Sequence, residues 1–280
     1  LDFKRQWGCG ALMRKIIDSH IHLDLYKENE MREIMKELAS AGCTDLISVS
    51  FHLESCLHNL RLAKTYSQVH TAFGFHPEQE LPSDEELQDL FLWMEKHQEQ
   101  MVAVGEIGLP YYLRSESKGD FSNDGHIELL EQFILKARQW DKPVILHAVY
   151  DDASIVCDLL EKHGVEKAHF HWFKGDSKTV ERMIENGWFI SVTPDVVYEQ
   201  EIQELAKVYP LDQIMVETDG PWRFEGPFSG KMTHPNMIHK SVVSIASIKD
   251  CRKEEVYGIL YENTADFYQF SPSKRERNRT

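Results

Sequence analysis

The chain has 280 residues, 42% hydrophobic and 28% charged, with a formal net charge of −15. It contains no apolar run near the ~20 residues of a membrane span, and its length suits one large α/β domain or two small ones. A chain this acidic repels polyanions at long range. That excludes tight non-specific nucleic-acid binding unless the charge is inverted locally, as divalent cations in an acidic pocket would do. The five cysteines (Cys9, Cys43, Cys56, Cys157, Cys251) are scattered and form no CxxC pair. They argue against a disulfide framework or a thiolate zinc site and fit a reducing cytoplasm.

Residues 1–12, LDFKRQWGCGAL, lack the sustained apolar stretch of a signal peptide and read as a disordered or non-native leader. From Met13 onward strand-like and helix-like runs alternate. KIIDSHIHL is followed by MREIMKELASAG, with apolar residues at 31, 34, 35, 38 and 39 and Gly42 as its stop. Then come DLISVS and SCLHNLRLAKTY, HTAFGFH and DEELQDLFLWMEKH, MVAVGEIGL and HIELLEQFILKARQW, PVILHAV and ASIVCDLLEKHG. AHFHWF precedes SKTVERMIENG, WFISVT precedes EQEIQELAKVY, and IMVETD leads into a mixed segment with helices around 236–268. Eight strand candidates, each followed by a helix and joined without Pro/Gly/Ser linkers, predict a single-domain (β/α)8 TIM-type barrel over residues 13–270. No GxGxxG opens the first helix, which weighs against an open dinucleotide-binding sheet. The basic residues 271–280, SPSKRERNRT, read as a solvated tail.

In a barrel the chemistry belongs at the C-terminal ends of the strands, where the loops converge. The polar residues fall there repeatedly: His20 and His22 on strand one, His76 after strand three, Glu106 on strand four, His147 on strand five, His171 on strand six, and Glu217 with Asp219 on strand eight. Residues two apart on a strand face the same way, so His20 and His22 converge. A buried carboxylate needs a cation or several donors. One or two divalent metals held by imidazole and carboxylate satisfy both requirements, with zinc, manganese, iron or magnesium compatible in ligand type. His169 shares the face of His171 but lies deeper, and reads as structural. The remaining histidines fall mostly on helices, in loops or at strand starts, and read as surface or internally satisfied residues.

These motifs together resemble the TatD family of metal-dependent hydrolases, within the amidohydrolase superfamily. They are D-x-H-x-H at 18–22, G-F-H-P at 74–77, V-G-E-I-G-L at 104–109, I-L-H at 145–147, H-x-F-x-G at 171–175, E-T-D-x-P at 217–221 and E-N at 262–263. The resemblance implies a barrel holding two divalent ions (Mg, Mn or Zn) that hydrolyses phosphodiester bonds, usually in DNA, by a metal-activated water. It makes His20, His22 and Asp219 ligands of one ion, His147 and His171 ligands of the other, and Glu106 the bridge. Asp219 becomes the candidate general base, Glu106 the second catalytic carboxylate, and His76 an outer or substrate-contacting residue.

The chain departs from the family pattern at Pro110, where aspartate is common, and at Val149, where arginine is common. Met232-Thr233-His234-Pro235 replaces R-N-x-P. Arginine, the side chain best suited to two-point phosphate binding, is thus missing twice. Lys174, Arg223, Lys231 and Arg114 are the cations that would compensate, with Lys174 and Arg223 the expected substrate contacts. Tyr111, Tyr112, Trp172 and Trp222 lie on the same face as candidate stacking partners for bases, Trp172 reading better as loop packing. Two other functions stay open at this stage. One is a two-metal hydrolase of a carboxylic ester, lactone or amide, aminoacyl esters included; the other is a non-catalytic scaffold.

Overall fold

Ile16, Ile17 and Ile21 are β-branched and fully buried, the composition of a strand covered on both faces. They build β1 (Ile16–Ile21), which leads to α1 (Glu28–Glu37), β2 (Cys43–Ser48), α2 (Leu53–Thr65), β3 (Val69–Phe73), α3 (Asp84–Lys96) and β4 (Met101–Gly108). Next are α4 (Tyr111–Glu116), α5 (Asp124–Gln139), β5 (Val144–His147), α6 (Asp151–Lys162), β6 (Ala168–Phe170), α7 (Ser177–Glu185) and β7 (Phe189–Val192). The series closes with α8 (Gln200–Val208), β8 (Ile214–Val216), α9 (Ile238–Ile248) and α10 (Lys253–Phe267). The computed structural model describes residues 14–117 and 121–269, so the expected leader at 1–12 and tail at 271–280 lie outside the described residues.

The eight strands pair in sequence order, each neighbour parallel, as a (β/α)8 barrel requires. The seam between β8 and β1 is closed just above β8. There Asp219 N donates to His20 O at 2.9 Å and His22 N donates to Gly220 O at 2.8 Å. Side chains reinforce it lower down: Ser19 Oγ donates to Val216 O at 3.0 Å, and Thr218 N donates to Asp18 Oδ1 at 2.9 Å.

Alternation along the strands separates two apolar layers. Leu46, Phe73, Val104, Leu146, Phe170, Ile190 and Val216 face outward into the core shared with the helices. Their chain neighbours Ile47, Ala72, Ala103, Ile145 and Met215 face inward, where Phe267 and Tyr268 at the end of α10 close the lower barrel. Above this plug lies a polar layer: His169 bonds Tyr268 Oη at 2.6 Å and Ser191 Oγ at 2.5 Å, and Ser191 Oγ donates to Glu217. His169 is therefore internal and satisfied by protein partners, as its depth in the strand suggested.

Several boundaries differ from the sequence reading. α1 begins at Glu28, with Lys27 and Glu30 forming its capping contacts, so polar residues ahead of the apolar stripe belong to the helix. The strand-like runs HTAFGFH, AHFHWF and IMVETD stop as strands at Phe73, Phe170 and Val216. The polar residues that follow turn inward instead of continuing the ladder. Finally, the segment between MVAVGEIGL and HIELLEQFILKARQW contains the short helix α4.

Candidate metal centre

Asp18, His20 and His22 share one parity on and just past β1, and all three are buried toward the barrel seam. Asp18 accepts from Thr218 N and Thr218 Oγ1, and more weakly from His20 N at 3.4 Å. It thus fixes the register in which His20 and His22 meet Asp219. Asp219 itself sits at φ +48°, a left-handed conformation unusual for a non-glycine residue and held here by its backbone bond to His20.

Glu106 reaches the interior by a different device. Strict alternation would send it outward beside Val104, but the β4–β5 register slips between Val104 and Ile107. Such an irregularity re-aims a side chain. The flanking glycines make room for β5: a Cβ on Gly105 would stand 2.6 Å from Ile145 Cβ, and one on Gly108 only 1.9 Å from His147 O.

The two Glu106 carboxylate oxygens face different donor sets. Oε2 lies 3.2 Å from His20 Nε2 and 3.3 Å from His22 Nε2, while Asp219 Oδ1 stands 3.3 and 3.4 Å from the same two nitrogens. His20 Nε2 and His22 Nε2 are 3.4 Å apart. Imidazole nitrogens and carboxylate oxygens are the donor types that hold zinc-like ions, and His20, His22 and Glu106 each offer an atom within 4.8 Å of the others, as do His20, His171 and Asp219. Oε1 faces the second set: His171 Nε2 at 2.7 Å, His147 Nδ1 at 3.1 Å and His76 Nε2 at 3.3 Å. His147 Nδ1 and His171 Nε2 are themselves 3.1 Å apart.

Glu106 Oε2 and Asp219 Oδ1 are both buried without a hydrogen-bond partner. Uncompensated buried carboxylate oxygens are costly, and cations remove that cost. Electrostatics agree. Burial pulls His22 down, but the adjacent carboxylates of Asp219 and Glu106 raise it to about 9, and His147 and His171 are likewise held up by Glu106. Although burial pushes them up, the imidazoles hold Glu106 and Asp219 below the usual carboxylate range. Divalent ions answer the same negative charge and take the nitrogen lone pairs, displacing those protons. The donor set fits such ions.

His76 is brought to the cluster but differs from the other histidines. Its Nδ1 accepts from Glu78 N at 3.1 Å, so the neutral ring carries its proton on Nε2 and donates toward Glu106 Oε1. Burial pulls it down to about 4, keeping it neutral. It is a donor beside the bridge.

The other predicted residues lie on the rim. Lys174 stands 5.2 Å over the Trp172 ring, and Arg223 is exposed on the loop after β8. Arg114 is engaged with Asp152 at 2.9 Å and Asp151 at 3.2 Å, and Lys231 Nζ donates to Pro227 O, so neither is free to clamp a substrate without rearrangement. Trp172 packs on Phe224 and donates its Nε1–H to Asp195, which makes it loop packing. Tyr112 and Trp222 remain exposed. Sequence reasoning passed over two contributors, Asp18 and Glu78. Asp18 lay in plain view inside D-x-H-x-H, two residues before His20, whereas nothing in the sequence marks Glu78.

Comparison with known proteins agrees with this geometry. The profile of a family described as TatD related DNase matches residues 17–269. An uncharacterized metal-dependent hydrolase of Haemophilus influenzae is 37% identical over 255 residues, covering 91% of this chain and 99% of that one. Human deoxyribonuclease TATDN3 is 26% identical over 262 residues, covering 90% and 94%. Among solved structures, the TatD homolog YJJV of Escherichia coli superposes with a TM-score of 0.80 at 25% identity, covering 93% of this chain and all of that one (100%).

Proposed function

Because the chain belongs to the TatD family of metal-dependent hydrolases, we propose that it is a deoxyribonuclease or related phosphodiesterase working with two divalent ions. The observation that carries this reading is the split of Glu106: one carboxylate, fully buried, with each oxygen turned to its own set of imidazoles. His20, His22 and Asp219 would hold one ion, His147 and His171 the other, and Glu106 would join them. Bound there, magnesium, manganese or zinc ions supply an activated water and neutralise charge on the phosphoryl oxygens.

The chain's own groups do the rest. Asp219, kept ionised by its imidazole neighbours, takes the proton of the attacking water. His76 offers its Nε2–H beside the bridge, to Glu106 or to a substrate oxygen. Lys174 and Arg223 supply positive charge at the rim, and the exposed rings of Tyr112 and Trp222 suit stacking on bases of a single strand. No described helix is long and apolar enough to cross a membrane; it is the scattered cysteines, with no CxxC pair, that favour a reducing, cytoplasmic setting for a nucleic-acid substrate.

A second reading rests on the apolar residues Val149 and Met232, which stand where the family's arginines are expected. Carboxylic esters and lactones need the same water activation without a phosphate clamp. One experiment separates the two. End-labelled single-stranded DNA is incubated with protein loaded with magnesium, manganese or zinc, beside chelated protein and Glu106→Gln. Nucleotide release lost in both controls supports the nuclease. Bound metal without any cleavage overturns it and sends the protein to ester and lactone substrates.

A further inference from the structure

Glu78 follows G-F-H-P and is engaged on both carboxylate oxygens. Oε1 accepts from Tyr112 N at 2.9 Å and lies 3.2 Å from His147 Nε2; Oε2 accepts from Leu113 N at 2.6 Å. Its side chain is only 15% exposed. The two backbone donors belong to the first turn of α4, whose N-cap is Pro110 and receives no side-chain cap. Glu78 therefore caps α4 from another loop. The same turn carries His76, whose Nδ1 accepts from Glu78 N. One short segment thus presents His76 to Glu106 and Glu78 to His147.

The contact with His147 decides which of its nitrogens can serve as a ligand. His147 lies between two carboxylates, with Nδ1 3.1 Å from Glu106 Oε1 and Nε2 3.2 Å from Glu78 Oε1. A neutral imidazole has one proton. Placed on Nδ1, it points at Glu106 and removes the lone pair an ion needs; placed on Nε2, it is donated to Glu78 and leaves Nδ1 free. A carboxylate behind a metal-ligating histidine fixes the tautomer and the ring orientation in this way.

We infer that Glu78 is a positioning residue that draws the His147 proton to Nε2, turns its Nδ1 lone pair to the second ion position, and ties α4 to the centre by the same carboxylate. The assignment rests on the two-ion reading above. Tyr112, edge-on to the His147 ring at 6.0 Å, is held at the mouth by the same clamp.

The test uses the full chain stripped of metal, with Glu78→Gln and Glu78→Ala. Titration calorimetry with Zn2+ alone is expected to show two ions in the wild type. In Glu78→Ala the first is retained and the second weakens by about 10- to 100-fold, the size of effect seen when outer partners of metal ligands are lost. Glu78→Gln, which keeps the volume, is expected to fall between. Long-range 1H–15N spectra of histidine-labelled protein, recorded above the pH at which His147 loses its second proton, give an independent readout: His147 protonated on Nε2 in the wild type, shifting toward Nδ1–H in Glu78→Ala. If both variants merely melt earlier while the second affinity and the tautomer stay wild-type, Glu78 is only a helix cap and the inference is overturned. A wild type that takes up one ion contradicts the two-ion reading itself, and the tautomer spectra then decide the role of Glu78 alone.

Discussion

Replacing Asp18 with alanine removes the side chain that ties the metal-facing strand to the segment after β8. Asp18 accepts from Thr218 N at 2.9 Å and from Thr218 Oγ1, both buried, while its 3.4 Å contact with His20 N contributes little. Each buried donor left without a partner costs about 1–3 kcal/mol. The Thr218 hydroxyl can turn to a new partner, so the loss centres on the amide and the void, roughly 2–4 kcal/mol in all. For a domain of this size each kcal/mol moves the melting temperature by about 2–4 °C, giving a drop of about 4–16 °C. Asp18→Asn keeps an oxygen for Thr218 N and lets Thr218 Oγ1 accept from the new amide, and should cost less than about 1 kcal/mol. Calorimetric melting of both variants reads this directly. An Asp18→Ala protein melting within about 2 °C of the wild type, or an Asn variant as damaged as the Ala variant, would refute the reasoning.

Other consequences are equally open to measurement. Asp219→Asn should lower kcat on single-stranded DNA by about 10²–10⁴-fold, the usual contribution of a positioned base; an unchanged kcat would remove Asp219 from that role. Adding Mn2+ at about 100 times its dissociation constant should stabilise the chelated protein by about 2.7 kcal/mol for each ion bound, visible as a higher melting temperature. The gain should vanish in Glu106→Ala, and a gain that persisted there would place the ions elsewhere. Tyr112→Ala should raise KM for single-stranded DNA by roughly 5- to 150-fold, the range of 1–3 kcal/mol for one base stack, with little change in kcat. An unchanged KM would leave Tyr112 as a loop residue.

Much of this molecule is written locally. The helices repeat their apolar residues every three or four positions and the strands run as short β-branched stretches, so their alternation shows the barrel. The ligand set shows because barrel geometry sends His20, Glu106, His147 and His171 to corresponding strand positions. What stays hidden depends on partners far away in the chain. Asp18 finds Thr218 two hundred residues later, and Glu78, an ordinary acidic loop residue by sequence, gains its role only where the loops after β3 and β4 meet His147. Period-two alternation also places Glu106 on the wrong face, because the β4 irregularity that turns it inward is a property of the pairing with β5. Arg114 looks like a free cation until Asp152 is seen beside it.

The central claim is that Glu106 joins two cations. Crystals grown with Mn2+ and measured for anomalous scattering test it most directly. Two peaks are expected, one about 2.0–2.2 Å from His20, His22 and Asp219 and the other the same distance from His147 and His171, with one Glu106 oxygen on each. A single peak, or peaks that leave Glu106 unliganded, would contradict the account.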